Sequence, residues 1–156
     1  MSIATKLKEY LDSSNVEYDV LTHRQAYTAQ DVAAAAHVPG RELAKSVVVK
    51  ADDRFVLAVL PAPRRVDLKR LQDAIGAAEV RMAVESEFAS TFPGCELGAM
   101  PPFGNLYGVE VVVDRSLADD DEIVFNASTH VDAIRMKYED FVKLAKPKVA
   151  DFGAAN

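Results

Sequence analysis

The stretch Leu43–Pro61, LAKSVVVKADDRFVLAVLP, decides the fold of this 156-residue chain. Two runs rich in β-branched residues, 45–51 and 54–61, are separated only by Asp52 and Asp53. This pattern is typical of two antiparallel strands joined by a tight turn. The first run is almost continuously apolar, which favours a strand in the middle of a sheet. We therefore predict a hairpin whose first strand lies in the middle of the sheet.

The sequence around this hairpin mixes helical and strand patterns without strict alternation. Helical spacing predicts helices at residues 2–15, 29–38, 68–76, 85–92 and 137–145, and strand patterns occur at 16–23, 78–83, 107–114, 122–127 and 131–136. Irregular interleaving favours a mixed sheet flanked by helices over a doubly wound nucleotide fold. We predict one α/β domain of the α+β-like kind over residues 1–146, followed by a C-terminal tail, 147–156, without assigned structure.

Capping residues mark the ends of two of these helices. Thr28, followed by Asp31, resembles a capping box in which Asp replaces the usual Glu. Asp67 can cap the helix over 68–76, and Gly76 can end it in a left-handed conformation. Both helices should therefore begin at the residue after the cap.

The amino-acid composition excludes several classes of protein. A hydrophobic content of 49% can fill one core, and the single cysteine, Cys95, cannot form an internal disulfide. No run approaches the roughly 18 apolar residues that cross a bilayer, and the N-terminal residues have no apolar signal core. We therefore expect a cytoplasmic protein that has no membrane partner.

The formal net charge of -6 argues against a protein that coats nucleic acid non-specifically, because such binding needs many contacts between Lys or Arg and phosphate. Local basic clusters remain, and they are either solvated surface or phosphate contacts. One cluster comprises Arg64, Arg65, Lys69 and Arg70, and the other comprises Arg41, Lys45 and Lys50.

Several common catalytic motifs are absent from the sequence. It has no phosphate-binding P-loop, no G-x-G-x-x-G after a strand and no G-x-S-x-G elbow. The histidines, His23, His37 and His130, are not spaced as a zinc pair on one helix face. We expect neither a metal site nor a cofactor.

Lys45 is unusual because it opens the most apolar strand, where a core strand would carry Val or Ile. Burial of an ammonium group is costly, so its tip should either reach solvent or pair with a carboxylate, phosphate or carbonyl group. Snorkelling at a sheet edge and a role in a site are both open from the sequence.

The segment Asn126–His130, NASTH, places four hydrogen-bonding side chains between two predicted strands. Such segments are usually turns whose side chains bond their own backbone. His130 is either a histidine satisfied within that turn or a residue of a site.

The loop Leu97–Gly108, LGAMPPFGNLYG, combines three glycines with two consecutive prolines. Proline stiffens the chain, and glycine permits conformations closed to other residues and close approach of a ligand to the backbone. A stiff loop with accessible N–H groups can hold a developing negative charge on a carbonyl oxygen.

Together these segments resemble the YbaK/ProX family of aminoacyl-tRNA deacylases, free-standing relatives of the editing domain of prolyl-tRNA synthetases. The resemblance covers roughly residues 1 to 145. It rests on the strand-opening Lys45, on "VRMAVESEFASTFPGCELGAMPPFG" with Gly98, Pro102 and Gly104, and on "NASTH".

The resemblance implies a mixed, strongly curved sheet and hydrolysis of the ester between a small amino acid and tRNA, with alanine on tRNA-Pro as the leading substrate. His130 is similar to the alanine-specific branch. Two residues depart from the pattern: Ser46 stands where that branch often has Asn, and Ser128 where the family commonly has Gly. These departures leave the amino acid open.

An aminoacyl ester is already activated, so its hydrolysis needs positioned water and a stabilised oxyanion but no covalent nucleophile. The residues expected to be catalytic are Lys45, which would hold the terminal adenosine or its phosphate, and the backbone N–H groups of Gly98, Ala99 and Met100. The residues expected to bind substrate are Ser46, Pro102, Phe103, Gly104, Asn126, Ser128 and His130. Met100, Phe103 and Ser46 can equally be ordinary core or loop packing.

The expected partner is the acceptor end of tRNA, contacted by Arg64, Arg65, Lys69 and Arg70, and no DNA partner is expected. Prolyl-tRNA synthetase is a further candidate partner. The alternative is a non-catalytic module that binds an aminoacyl-adenosine-like ligand or a synthetase, because fold resemblance does not fix function.

Overall fold

The predicted hairpin is the longest strand pair of the computed structural model, which describes residues 3–155. Strands Leu43–Ala51 and Arg54–Pro61 pair antiparallel from Ala44–Pro61 to Ala51–Arg54. Asp52 adopts a left-handed conformation in the turn, with φ 54°. Its carboxylate accepts hydrogen bonds from the N–H groups of Ala78 and Glu79. The turn thus anchors the segment that leads into the strand Val80–Met82.

Helices and strands are numbered here in chain order. The helices are α1 (Thr5–Ser13), α2 (Ala29–Ala35), α3 (Leu68–Ile75), α4 (Glu85–Phe88) and α5 (Tyr138–Ala145). The strands are β1 (Tyr18–Thr22), β2 (Leu43–Ala51), β3 (Arg54–Pro61), β4 (Arg64–Val66), β5 (Val80–Met82), β6 (Glu110–Asp114), β7 (Glu122–Asn126), β8 (Asp132–Lys137), β9 (Lys148–Ala150) and β10 (Gly153–Ala155). Short 3-10 turns occur at Gly40–Glu42, Gly104–Tyr107 and Arg115–Asp119.

The main sheet is mixed, as the interleaved pattern predicts. Its strand order is β1-β8-β7-β2-β3-β6-β9, with β5 also paired to β2, and β10 pairs with β4 in a second, two-stranded sheet. The pairs β2–β7, β3–β6 and β6–β9 are parallel, whereas the others are antiparallel. The central position predicted for β2 is confirmed.

Both faces of the sheet are covered by apolar side chains. One face packs against α1, α5 and the loop before β6, and Phe103 of that loop lies edge-on to the rings of Tyr10, Phe125 and Phe141. The other face packs against α3 through Leu71, and against α2. Residues of β2 therefore alternate between two cores, which explains its nearly continuous apolar sequence.

The predicted caps are confirmed. The Thr28 hydroxyl accepts a hydrogen bond from the N–H of Asp31 at 3.1 Å, and the Asp67 carboxylate accepts one from Arg70 at the same distance. Gly76 ends α3 with φ 69°.

Several helix and strand boundaries differ from the prediction. α1 begins at Thr5, and Ser2, included in the predicted helix, lies outside the described residues. α2 ends at Ala35 because the chain turns into a left-handed residue at His37. α4 stops at Phe88, and residues 107–109 belong to a turn before β6.

The C-terminal residues form two strands, whereas the sequence predicts a tail without assigned structure over 147–156. β9 pairs with β6, and β10 pairs with β4. Both strands are three residues long, and their partners lie far along the chain, so no local periodicity reveals them. Asn156 lies outside the described residues.

No helix within residues 3–155 is long and apolar enough to cross a bilayer.

Candidate active site

The edge of β2 that faces away from β3 is interrupted. β7 pairs with β2 only at Leu43 and Ala44, and β5 pairs with it only from Val49 onward. The carbonyl of Val48 accepts a hydrogen bond from Ala83. Residues 45–47 therefore lack a strand neighbour on this edge, and we call this gap the β2 notch.

Lys45 lies at the start of the β2 notch and is half-buried. Its Nζ donates a 3.1 Å hydrogen bond to the carbonyl oxygen of Ala62, which also accepts one from Gln30 of α2. Burial lowers the pKa of the Lys45 ammonium group below its ordinary value. The tip thus pairs with a carbonyl, one of the arrangements expected from the sequence, and donor capacity remains because an ammonium has three N–H groups.

The loop at residues 96–100 and the turn at 126–130 are joined by backbone hydrogen bonds. Glu96 N–H donates to the carbonyl of Ser128 at 2.8 Å, and Ser128 N–H donates to the carbonyl of Ala99 at 3.0 Å. The Glu96 carboxylate accepts the N–H of His130 at 3.1 Å. In the parallel register that aligns Ala44 with Phe125, the next residues are Lys45 and Asn126. The turn at 126–130 therefore begins at the end of β7 that borders the β2 notch, and the loop at 96–100 is hydrogen-bonded to this turn.

His130 is held in one orientation. Its Nε2 lies 3.0 Å from the carbonyl oxygen of Leu97, and its ring packs on Tyr27 with centroids 4.6 Å apart. A carbonyl oxygen can only accept, so Nε2 carries the hydrogen. In the neutral ring Nδ1 is then an acceptor, and it is buried without a partner among the described residues.

Several buried polar atoms of β2 and of the segments near its notch have no hydrogen-bond partner among the described residues. Within residues 3–155 they are Ser46 Oγ, Asn126 Oδ1, Ser128 Oγ, His130 Nδ1 and His23 Nε2. The first four belong to residues predicted from the sequence to bind substrate. Leaving a buried polar group unpaired costs about 1–3 kcal/mol, so each such group needs an explanation. Polar atoms that a ligand satisfies provide one.

Ser128, whose hydroxyl is unpaired, also has a strained backbone, with a φ of 79° in the left-handed region. This region favours glycine, the residue that the resemblance places commonly at this position. Strain of this kind collects at functional sites.

Backbone N–H groups in the loop are less free than the sequence analysis expects. Gly98 N–H contacts Met100 Sδ at 3.3 Å, and Ala99 N–H donates to the carbonyl of Glu96. Of the three predicted donors, Met100 N–H alone has no hydrogen bond to the described residues. Gly98 has φ 86°, and a Cβ there would lie 3.6 Å from His130 Cε1. The loop thus lies against the histidine ring.

Three residues predicted to bind substrate are packed in the core of the domain. Pro102, Phe103 and Gly104 are buried, and a Cβ on Gly104 would lie 2.6 Å from the carbonyl oxygen of Val109. These residues anchor the loop in the core.

The predicted tRNA-binding cluster lies on β4 and α3. Arg64 donates to the carbonyl of Gly153, Lys69 lies 3.9 Å from Asp73, and Arg70 forms a 2.8 Å ion pair with Asp151. Arg65 is exposed, with no side-chain hydrogen bond or ion pair to the described residues.

Surface hollows of about 490, 580 and 330 Å³ lie elsewhere. They are lined around Asp120 and Tyr138, around Lys8 and Glu9, and around Tyr18 and Arg135 respectively. None includes a residue predicted for the site.

Sequence reasoning missed four residues of this region: His23, Tyr27, Gln30 and Glu96. Glu96 and His130 are 34 residues apart, and the ring of Tyr27 meets that of His130 from the segment before α2. Only the proximity of Tyr27 to the capping Thr28 marks it in the sequence.

Comparison with known proteins gives consistent matches. Residues 23–144 match the family described as "Aminoacyl-tRNA editing domain". The chain is 28% identical to the Multifunctional Ser/Thr-tRNA deacylase ProXp-y of Escherichia coli (strain K12), covering 94% of this chain and 90% of that protein. It is 25% identical to the Prolyl-tRNA editing protein ProX of Acetoanaerobium sticklandii, covering 92% and 91%.

A solved structure of a candidate trans-editing enzyme for prolyl-tRNA synthetase superposes with a TM-score of 0.82. The superposition covers 99% of this chain and all of that one, at 20% sequence identity. This likeness confirms the fold class, a single domain with a mixed sheet flanked by helices.

Proposed function

Because the chain belongs to the aminoacyl-tRNA editing domain family, we propose that it hydrolyses the ester that joins a small amino acid to tRNA. The proposal rests mainly on the buried polar atoms of Ser46, Asn126, Ser128 and His130, which have no hydrogen-bond partner among the described residues. Ser46 Oγ, Ser128 Oγ and His130 Nδ1 can all accept hydrogen bonds, and every aminoacyl ester presents an α-ammonium group that donates them. The relatives' names support the same reaction.

The proposed mechanism uses position and charge. The Lys45 ammonium holds the terminal adenosine or its phosphate, which orients the ester. Met100 N–H faces the carbonyl oxygen and stabilises the negative charge that develops when water attacks. The vicinal hydroxyl of the terminal ribose helps to activate that water. The ester bond breaks to release the free amino acid and the tRNA, and no covalent intermediate is required.

Alanine on tRNA-Pro is the first substrate we propose, with prolyl-tRNA synthetase as the enzyme that would recharge the freed tRNA. Serine is the second, because the unpaired hydroxyls of Ser46 and Ser128 suit a side chain that can itself hydrogen-bond. The relative from E. coli is named a Ser/Thr-tRNA deacylase. A hydrogen-bonding site can discriminate strongly against an analogue that lacks the group it binds, whereas one methylene changes binding by only about 1–3 kcal/mol.

The test is a panel of tRNAs charged with alanine, serine, threonine, cysteine or proline, with release of free amino acid as the measurement. We expect release of alanine or serine well above spontaneous hydrolysis. No release from any member would contradict the deacylase proposal and favour the non-catalytic binding module.

Contact with the tRNA acceptor end is proposed for Arg65, the member of the basic cluster whose side chain has no hydrogen bond or ion pair within residues 3–155. In the same panel, higher salt should raise KM because phosphate contacts release counterions. Arg65→Ala should make this salt dependence shallower, and an unchanged slope would remove Arg65 from the interface.

His130 offers a prediction about the acceptor role of Nδ1. In His130→Gln the side-chain amide can still donate to the Leu97 carbonyl, but the Nδ1 acceptor is lost. We expect a melting temperature close to that of the wild type and a fall of about tenfold or more in kcat/KM, the value of one hydrogen bond to a charged group. His130→Ala should lower both. A Gln variant as active as the wild type would show that Nδ1 does not contact substrate.

A further inference from the structure

Tyr27 is exposed at 62% of its surface although its ring packs on a residue of the candidate site. The ring centroid lies 4.6 Å from that of His130, with a 51° angle between the planes. We propose that Tyr27 is a stacking platform for the nucleobase at the 3' end of the tRNA. This inference rests on the proposed deacylase function and adds a contact that positions the substrate.

The backbone on both sides of Tyr27 is fixed before any ligand arrives. Ala26 is fully buried, and its N–H donates to the carbonyl of His130 at 3.2 Å. Thr28 caps α2 by accepting the N–H of Asp31. A ring held this way loses little conformational entropy when a flat group stacks on it, so the platform is preorganised.

Tyr27 also belongs to the wall that reaches Lys45. Gln30, three residues further on, donates to the carbonyl of Ala62, the same acceptor that Lys45 Nζ uses. The start of α2 therefore spans from His130 to the lysine. In this proposal, a substrate held by both of these residues lies along the exposed ring.

Differences in burial indicate which part of the substrate contacts which residues. The unpaired atoms of Ser46, Ser128 and His130 are buried, so they suit the small aminoacyl group. Tyr27 lies outside them, in contact with solvent. The ester links the amino acid to the terminal ribose, and the base on that ribose is the first flat group further out. Every nucleobase has a π face that stacks on an aromatic ring.

The experiment is a double-mutant cycle between protein and substrate. Wild type and Tyr27→Ala are each assayed on an aminoacylated RNA minihelix with its natural 3' adenosine and on one whose terminal ribose lacks the base. For the wild type, removing the base should raise KM about tenfold, the size expected for one stack. Tyr27→Ala should raise KM about tenfold on the natural end, with little change in kcat. The doubly altered pair should show no further loss.

Two variants separate stacking from packing on His130. Tyr27→Phe keeps the ring and should restore the low KM, whereas Tyr27→Leu covers the histidine without a π system and should not. Equal KM for wild type and Tyr27→Ala, or additive losses in the cycle, would overturn the platform.

Failure of the deacylase proposal gives a different result from failure of the platform: the wild type would release no amino acid from either minihelix. In that case adenosine monophosphate is titrated against ribose 5-phosphate while the NMR signals of the Tyr27 ring are followed. A shift with the nucleotide alone supports the platform, and no difference between the two overturns it.

Discussion

Replacing Lys45 with alanine is expected to lower kcat/KM on mischarged tRNA by about 100-fold or more, the usual effect of removing one preorganised electrostatic contact. The ammonium group borders the β2 notch, and its 3.1 Å bond to the Ala62 carbonyl fixes its position. No acidic side chain forms an ion pair with it among the described residues, so its charge is not neutralised internally. The measurement is single-turnover release of the amino acid.

The protein should still fold when Lys45 is replaced, because of the direction in which the pKa of its ammonium group is shifted. Burial lowers the pKa of Lys45, so the folded state disfavours its charged form. This penalty on stability is fully present below the folded pKa and disappears as pH rises to the ordinary value of 10.5. At neutral pH, Lys45→Met should therefore unfold at the same temperature as the wild type or at a higher one.

Lys50 on the same strand provides the matched control. Its Nζ lies 4.5 Å from the centroid of the Phe55 ring, away from the notch. Lys50→Ala should keep deacylation within about twofold of the wild type. Full activity in Lys45→Ala would remove the proposed role of the lysine, and an equal loss in both variants would point to general charge.

Much of the fold is readable from the sequence because its signals are local. The β2–β3 hairpin follows from two β-branched runs around Asp52 and Asp53, and the starts of α2 and α3 follow from Thr28 and Asp67. Burial of β2 on both faces follows from its continuous apolar run. These features depend on residues within a few positions of one another.

The arrangement of the site is less accessible because it depends on distant contacts. The carbonyl and N–H groups of the loop at residues 96–100 form hydrogen bonds to the turn at 126–130 and within the loop itself. That use of the backbone leaves Met100 N–H as the available donor. Phe103 reads as a wall residue in the sequence, yet its ring completes an aromatic cluster in the core. No pattern in the loop distinguishes these two roles.

The C-terminal strands depend on one buried side chain, Asp114, at the end of β6. This residue is 1% exposed. One carboxylate oxygen accepts the N–H groups of Phe152 and Gly153 at 3.0 and 2.6 Å, and the other accepts the N–H and hydroxyl of Ser116. A Cβ on Gly153 would lie 2.9 Å from the carboxyl group. The carboxylate thus fits closely against the chain between β9 and β10.

Asp114→Ala is expected to destabilise the protein by about 3 kcal/mol or more, because several buried N–H groups lose their acceptor at once. For a domain of this size the melting temperature should fall by about 10 °C. Asp73→Ala is the matched control, since Asp73 is exposed and lies 3.9 Å from Lys69. Its melting temperature should stay within about 2 °C of the wild type.

The pH dependence distinguishes a hydrogen-bonded carboxylate from simple packing. Burial alone would raise the pKa of Asp114, but hydrogen bonds from Ser116, Gly153 and Phe152 outweigh it, so the pKa lies below the ordinary 3.8. The carboxylate therefore stabilises the fold above pH 3.8, and this contribution is lost as pH falls through the folded pKa. The difference in unfolding free energy between wild type and Asp114→Ala should be constant near neutrality and shrink below about pH 4. A difference that stays constant to pH 2 would show that shape, and not charge, fixes the C-terminal strands.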